Sequence, residues 1–361
     1  MFLWGMIALF CITLFVSSFL YLTIKLTKIF LFKSLSLLIL LIIFIIISLV
    51  INYINASICF IYLTMFFGIS DIIFFFLQKF FHFRFNYKYI ALFSIILTII
   101  VLFISWKLNH NVSITKYNLT TDKNVENLKI AFFADSHIGT TFDYKGFQKH
   151  MEKIKDLNPD VLFIVGDYVD DETKKIDMIK CTEILGKLNL KYGIYFVLGN
   201  HDKGYYGAKR GYSENDVISE LEKNHVKVLR DESIFLGNDF YCIGRKDYSV
   251  EKELKEKRKT VKNLTANLDK NKYLIVLDHQ PVDYKSEINE KVDLVLSGHT
   301  HGGQLFPFNN LGKWIKAVDM VYGHKKISDT NFIVTSGISS WAVKFKLGTK
   351  SEIVLIDINR N

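Results

Sequence analysis

Cysteine is scarce, and the four present make no framework. Cys11 and Cys59 fall inside apolar runs, where they read as small packing residues. Cys181 and Cys242 have a sequence separation that gives no sign of their meeting, so free thiols are expected. Acidic side chains are scarcer still in the first third. Residues 1–112 hold a single acid, Asp71, against seven basic residues: Lys25, Lys28, Lys33, Lys79, Arg84, Lys88 and Lys107. The rest of the chain holds 38 basic and 35 acidic residues, a net +3, so most of the formal +9 sits in the apolar part. Charge placed there reports orientation in a bilayer and contact with anionic lipid, and it argues against a nucleic-acid partner.

What fills the first third is long apolar sequence. The run 2–24 carries no charge, and 23 residues at roughly 1.5 Å each exceed a hydrocarbon layer of roughly 30 Å. It lacks the basic start and small-residue cleavage site of a signal peptide. Further spans are expected near 34–51, 57–77 and 89–106, the middle two joined by the polar turn Asn52-Tyr53-Ile54-Asn55. Residues 1–112 therefore read as an all-α anchor of about four transmembrane helices, and 113–361 as one catalytic domain. Lys25, Lys28 and Lys33 after the first span, and Lys79, Arg84 and Lys88 after the third, place those loops in the cytoplasm. The expected location is the cell membrane, multi-pass, with the catalytic domain extracytoplasmic. Asp71 inside the third span is read as having an interfacial or interhelical partner, in preference to a transport role.

From residue 125 onward short apolar runs alternate with amphipathic stretches such as the helix expected over 144–157, the pattern of a layered α/β domain. Five runs end in metal-binding residue types. Leu128–Ala134 ends at Asp135-Ser136-His137, Val161–Val165 at Gly166-Asp167-Tyr168-Val169-Asp170, and Ile194–Leu198 at Gly199-Asn200-His201-Asp202. Tyr273–Leu277 ends at Asp278-His279-Gln280-Pro281, and Val292–Ser297 at Gly298-His299-Thr300-His301-Gly302-Gly303-Gln304. Each motif alone is weak. Five strands delivering oxygen and imidazole donors from their carboxyl ends, where open α/β sheets build sites, form a much stronger signal.

The ordered set Asp-x-His, Gly-Asp-x-x-Asp, Gly-Asn-His-Asp, His, Gly-His-x-His resembles the calcineurin-like metallophosphoesterases over about residues 127–357. That resemblance implies a four-layer α/β/β/α sandwich and two divalent metal ions. One would be held by Asp135, His137, Asp167 and His301, and the other by Asp167, Asn200, His279 and His299, with Asp167 bridging. It further implies that His201 protonates or stabilises the leaving-group oxygen and that Asp170 orients His201. Phosphoesters are anionic and repel hydroxide, so paired cations that neutralise charge and activate water suit the reaction. The oxygen and nitrogen donor set suits Mn²⁺, Fe²⁺ or Zn²⁺, with manganese preferred. Purple acid phosphatases carry a tyrosine three places after the bridging aspartate; here that place is Asp170, so no tyrosine–ferric chromophore is expected.

The implied activity is hydrolysis of a phosphoester or pyrophosphate bond, on a lipid-linked or cell-envelope substrate. The competing readings are a phosphodiesterase or nuclease acting on soluble nucleotides, and a non-catalytic membrane sensor that keeps the fold. Arg245, in a segment with Lys246 and Asp247, is a candidate phosphate clamp or a surface-loop residue. Tyr205, Tyr206, Lys209 and Arg210 lie in the same variable stretch. Glu251 to Lys262 reads as a solvated helix with pairs such as Glu251–Lys255 and Glu253–Lys257. Leu305, Phe306, Phe308, Trp314 and Ile315 are expected to complete the core, the alternative being an acyl-binding wall.

Overall fold

The computed structural model describes residues 2–30, 32–82, 85–205, 210–251 and 256–361. Arg84, Tyr206, Lys209, Glu253 and Lys255 lie outside the described residues. The chain forms two compact units, Met1–Trp106 and Lys107–Asn361.

The first unit is built of helices α1 (Phe2–Phe30), α2 (Lys33–Ile51), α3 (Tyr53–Phe81) and α4 (Tyr87–His110). All four are long and apolar enough to cross a bilayer, and the chain is membrane-associated by this composition. Leu22, Leu40, Phe60, Phe67 and Ala91 pack inward, while most other large apolar side chains of the unit point outward, as hydrocarbon solvent permits. Polar contacts also join the helices. Ser94 Oγ donates to Ser70 Oγ (2.9 Å), and Asp71 accepts from Tyr21 OH (3.0 Å) and pairs with Lys25. Asp71 therefore has the interhelical partner expected of it.

The helices are longer than the spans read from hydropathy. Lys25 and Lys28 belong to the end of α1 and not to a loop, because helical hydrogen bonding continues past the apolar stretch. Only Asn52 breaks the chain between α2 and α3; its side chain accepts from Asn55 N, so Tyr53, Ile54 and Asn55 are already helical.

In the second unit one six-stranded sheet has the order β1 (Ser113–Thr121), β12 (Glu352–Arg360), β2 (Leu128–Phe133), β3 (Val161–Val165), β4 (Ile194–Val197), β5 (Val226–Val228). The other runs β10 (Gly323–Ile327), β11 (Thr330–Val334), β9 (Leu294–Ser297), β8 (Tyr273–Leu277), β7 (Phe240–Gly244), β6 (Glu232–Leu236). The strand period of two assigns the faces. Ala131 and Phe133 of β2 meet Phe147 and Met151 of α5 (Tyr144–Leu157), with α6 (Lys175–Leu185) and α7 (Glu214–Lys223) beside them. Ile130 and Phe132 point the other way, against Ile275 and Leu277 of β8. Leu274 and Val276 then face α8 (Val261–Thr265) and α9 (Tyr284–Asn289). The result is the four-layer α/β/β/α sandwich, with the carboxyl ends of parallel strands β2, β3, β4 and of parallel strands β8, β9 carrying the five motifs.

Several local expectations change. Residues 256–260 are not helical; α8 starts only after the Thr260 cap, Glu256 pairs with Lys246, and Arg258 is buried on Asp278. The stretch from Leu305 to Ile315 is not core: Phe306, Phe308, Trp314 and Ile315 are exposed on the connection that holds α10 (Leu311–Trp314). Cys181 and Cys242 are buried, free and in different cores.

Candidate metal centre

Backbone strain marks the site first. Asp135 (φ 55°), His137 (36°), Asp167 (52°), His299 (69°) and His301 (50°) all adopt the left-handed region that L-residues avoid. The strain is held by cross-links between loops. Asp135 N donates to Gly166 O (3.0 Å), His137 N to Asp167 O (3.1 Å), and His299 N to the Asp135 carboxylate (3.0 Å), which ties the second sheet's loop to the first. Close approach requires the glycines: a Cβ on Gly199 would stand 2.2 Å from Asp167 Oδ1, and one on Gly166 2.3 Å from His279 Nδ1.

These loops bring the donors together in two groups. Ligand atoms of Asp135, His137 and His301 lie within 4.8 Å of one another, and so do those of Asp167, His279 and His299. Asp167 Oδ2 faces both, at 3.1 Å from His279 Nε2 and 3.7 Å from His137 Nε2. Two imidazoles are hydrogen-bonded through the opposite nitrogen, and a third faces a carboxylate there. His279 Nδ1 donates to Val165 O (2.8 Å), His301 Nδ1 lies 3.4 Å from Ser339 O, and His137 Nδ1 lies 3.4 Å from Asp170 Oδ2. Since a carbonyl only accepts, Nδ1 of His279 carries a proton, which leaves Nε2 as the atom turned to Asp167 Oδ2. His137 Nε2, His279 Nε2 and Asn200 Oδ1 are buried without a hydrogen-bond partner, the condition of atoms awaiting a cation. Oxygen and imidazole donors with orphaned lone pairs fit a pair of divalent metal ions.

The electrostatics divide the imidazoles: burial opposes the charged forms of His137 and His279, but the carboxylates beside them, Asp170 and Asp167 for the first and Asp167 for the second, raise both, whereas the other two, His299 and His301, are lowered. Burial works against the Asp167 carboxylate, but the imidazoles of His279, His201 and His137 outweigh it and hold the group well below the usual carboxylate range. Burial, assisted by His279, pushes His299 down to about 4, and burial with His137 and Lys346 lowers His301, which keeps both as neutral donors.

His201 stands where its amide donates to Asp167 Oδ1 (2.8 Å). Its ring is flanked by those of His137 (5.1 Å), Tyr205 (5.2 Å) and Trp341 (5.0 Å), and its Nδ1 is buried without a partner. Asp170 does not orient it. The Asp170 carboxylate accepts from Glu172 N (2.9 Å) and Thr173 Oγ1 (3.3 Å), a turn that aims it at His137 instead.

Arg245 is a second correction. It is 2% exposed, donating to Asp278 Oδ2 (2.8 Å) and Asp283 Oδ2 (3.1 Å), with Glu287 at 3.7 Å. Burial raises Glu287 well above the carboxylate range, so that residue is neutral, and Arg245 with Arg258 balances Asp278 with Asp283. Both terminal nitrogens of this buried guanidinium are turned to carboxylates, and its Nε is buried without a partner. Through Leu277 O, which accepts from its amide (3.0 Å), and through Asp278, Arg245 ties the end of β7 to the start of the loop that carries His279. Arg210 is likewise spent on carbonyls, Tyr212 O (3.1 Å) and Asp202 O (2.5 Å).

Two residues of the site were not singled out from sequence. Asp202 is buried and accepts from the amides of Asp167 (2.9 Å), Tyr168 (2.9 Å), Val169 (3.1 Å) and Gly199 (2.7 Å), so it clasps the loops after β3 and β4. Its position as the last letter of Gly-Asn-His-Asp was the available signal. Trp341, beside His201, belongs to a loop with no motif, and nothing in sequence pointed to it.

The class defined here is a layered α/β protein whose two sheets converge on paired histidine–carboxylate groups. A sequence profile described as calcineurin-like phosphoesterase matches residues 128–303. An uncharacterized metallophosphoesterase of Aquifex aeolicus is 31% identical over 250 residues, covering 68% of this chain and 91% of the relative. An uncharacterized metallophosphoesterase of Campylobacter jejuni is 30% identical over 242 residues, covering 64% and 59%. A transmembrane protein with metallophosphoesterase domain from Danio rerio is 30% identical over 247 residues, covering 65% and 54%. The match thus spans little more than half the length of these last two. The chain belongs to the calcineurin-like phosphoesterase family.

Proposed function

We propose that this chain is a metal-dependent hydrolase of phosphoester or pyrophosphate bonds that works at a membrane, on a lipid-linked or cell-envelope substrate. The observation that carries the hydrolase reading is the pair of buried donor groups, Asp135 with His137 and His301 and Asp167 with His279 and His299, with Asp167 Oδ2 facing both. Asp135, His137 and His301 would hold one ion, Asn200, His279 and His299 the other, and Asp167 would be shared. Such a pair supplies charge neutralisation at the phosphate and a water acidified for attack.

The remaining steps belong to the chain itself. Asp170 orients His137 through Nδ1, the usual role of a carboxylate behind a ligating histidine. Burial lowers His201, and a bound phosphate anion works in the opposite direction, raising the imidazole towards the form that donates. His201 then passes a proton to the departing oxygen as the phosphorus–oxygen bond breaks. Trp341 and Tyr205, whose rings lie against that of His201, would border the space for the leaving group.

The membrane part of the proposal is supported by the four apolar helices and by Lys33, Lys79 and Lys88 near helix ends on one side of a four-span path. On this reading the protein is multi-pass and its catalytic unit extracytoplasmic. For the chemistry, His201→Ala is expected to retain bound metal and lose roughly 10² to 10⁴ in turnover of p-nitrophenyl phosphate and its diester. Lost metal with unchanged turnover per bound pair would refute the assignment.

A further inference from the structure

Among the described residues of the catalytic unit, eight large apolar side chains are exposed, and four of them lie within ten positions: Phe306 (54%), Phe308 (37%), Trp314 (63%) and Ile315 (38%). Lys313 and Lys316 flank Trp314 and Ile315 in the chain and are exposed with them. The segment begins just after the candidate ligands His299 and His301. It also walls a cavity of about 520 Å³, whose lining includes Phe306 and Lys313 together with Met320, Lys325 and Ile327. The charged side chains within 305–316 are Lys313 and Lys316 alone; the acid on this wall, the exposed Asp319, lies beyond the segment and accepts from the amide of Tyr284 (3.1 Å).

We propose that residues 305–316 are an interfacial docking element for an anionic bilayer, with Trp314, Ile315, Phe306 and Phe308 entering the headgroup–acyl boundary and Lys313 and Lys316 meeting lipid phosphates. An amphipathic indole beside lysines is the composition that settles at that boundary. Four apolar and two cationic side chains would hold a free domain at a bilayer only weakly. A chain that already carries membrane-spanning helices makes docking an intramolecular event at high effective concentration, so a weak surface suffices. Docking would bring the cavity and the loop of His299 and His301 to the level of lipid headgroups. This inference rests on membrane association and is independent of the hydrolase reading.

The test is hydrogen exchange of the full chain in nanodiscs of phosphatidylcholine alone and of phosphatidylcholine with phosphatidylglycerol. Peptides covering 305–316 are expected to exchange more slowly in the anionic discs. A variant carrying Lys313→Glu and Lys316→Glu should lose that protection, by roughly fivefold for each lysine, with its metal content unchanged. Equal exchange in both discs, or protection that survives in the double variant, would overturn the proposal, as would protection that follows protein concentration, the mark of a second copy. As an independent readout, a variant keeping Trp314 as its sole tryptophan should be quenched by brominated acyl chains; emission typical of water and no quenching would count against docking.

Discussion

Asp202→Asn keeps the shape of the side chain and exchanges one acceptor oxygen for an NH₂ group. All four hydrogen bonds to Asp202 come from backbone amides, so whichever way the new amide turns, two donors face a donor. A hydrogen bond to a charged acceptor contributes about 1.5 to 3 kcal/mol, so two lost bonds cost roughly 3 to 6. Relief from burying a charge offsets part of this, leaving about 2 to 4 kcal/mol. For a domain of this size that lowers the melting temperature by roughly 5 to 15 °C. Burial and the nearby Asp167 charge push the Asp202 carboxyl up, to about 7, against its amide donors. No partner among its hydrogen bonds accepts a proton, so the ionised form is the one the geometry fits. Because the clasp joins the loops of Asp167 and Asn200, metal affinity should fall with stability. The assay is thermal unfolding of the full chain in detergent, with metal content measured on the same samples. A variant that melts with the native chain and binds metal equally would show that Asp202 is neutral and no clasp.

Arg245→Met leaves Asp278 and Asp283 with one cation between them, and is expected to destabilise the fold by about 3 to 5 kcal/mol while the fraction still folded keeps its KM for p-nitrophenyl phosphate. A large rise in KM with unchanged unfolding would restore the phosphate-clamp role. His150, half-buried on α5, is held down to about 4 by burial and by Lys153 and Lys149. The unfolded chain therefore binds more protons between about pH 6.5 and 4, and stability falls as pH drops through that window. His150→Gln should flatten the acid limb of the melting curve by no more than about 3 kcal/mol, less for the part of the ring that water screens. Identical acid limbs would exclude this source.

The site was legible because its chemistry is local to strand ends. A buried five-residue apolar run that stops at Gly-Asp or Gly-His is readable without knowing its neighbours, and β3 and β8 matched their runs to the residue. Edge strands were not readable. β10 (Gly-His-Lys-Lys-Ile) and β1 carry polar, half-exposed residues whose pairing comes from distant chain, β1 with β12 and β10 with β11. Orientation was hidden for the same reason. Asp170 turns to His137 because Thr173 and the Glu172 amide fix its carboxylate, and Arg245 is withdrawn from solvent by Asp278 and Asp283, acids more than thirty positions away. The aromatic segment after Gln304 read as core because aromatics usually pack; its exposure depends on a connection that bulges outward between β9 and β10.

The most direct measurement is the metal stoichiometry of the full chain in detergent, stripped with chelator, reloaded with Mn²⁺ and counted by elemental analysis alongside Asp167→Asn. Two ions per chain, recovery of phosphoester hydrolysis on reloading, and weakened binding at both positions in the variant are expected. One ion or none in the native chain, or a variant that keeps both with native affinity, would contradict a paired centre built around Asp167.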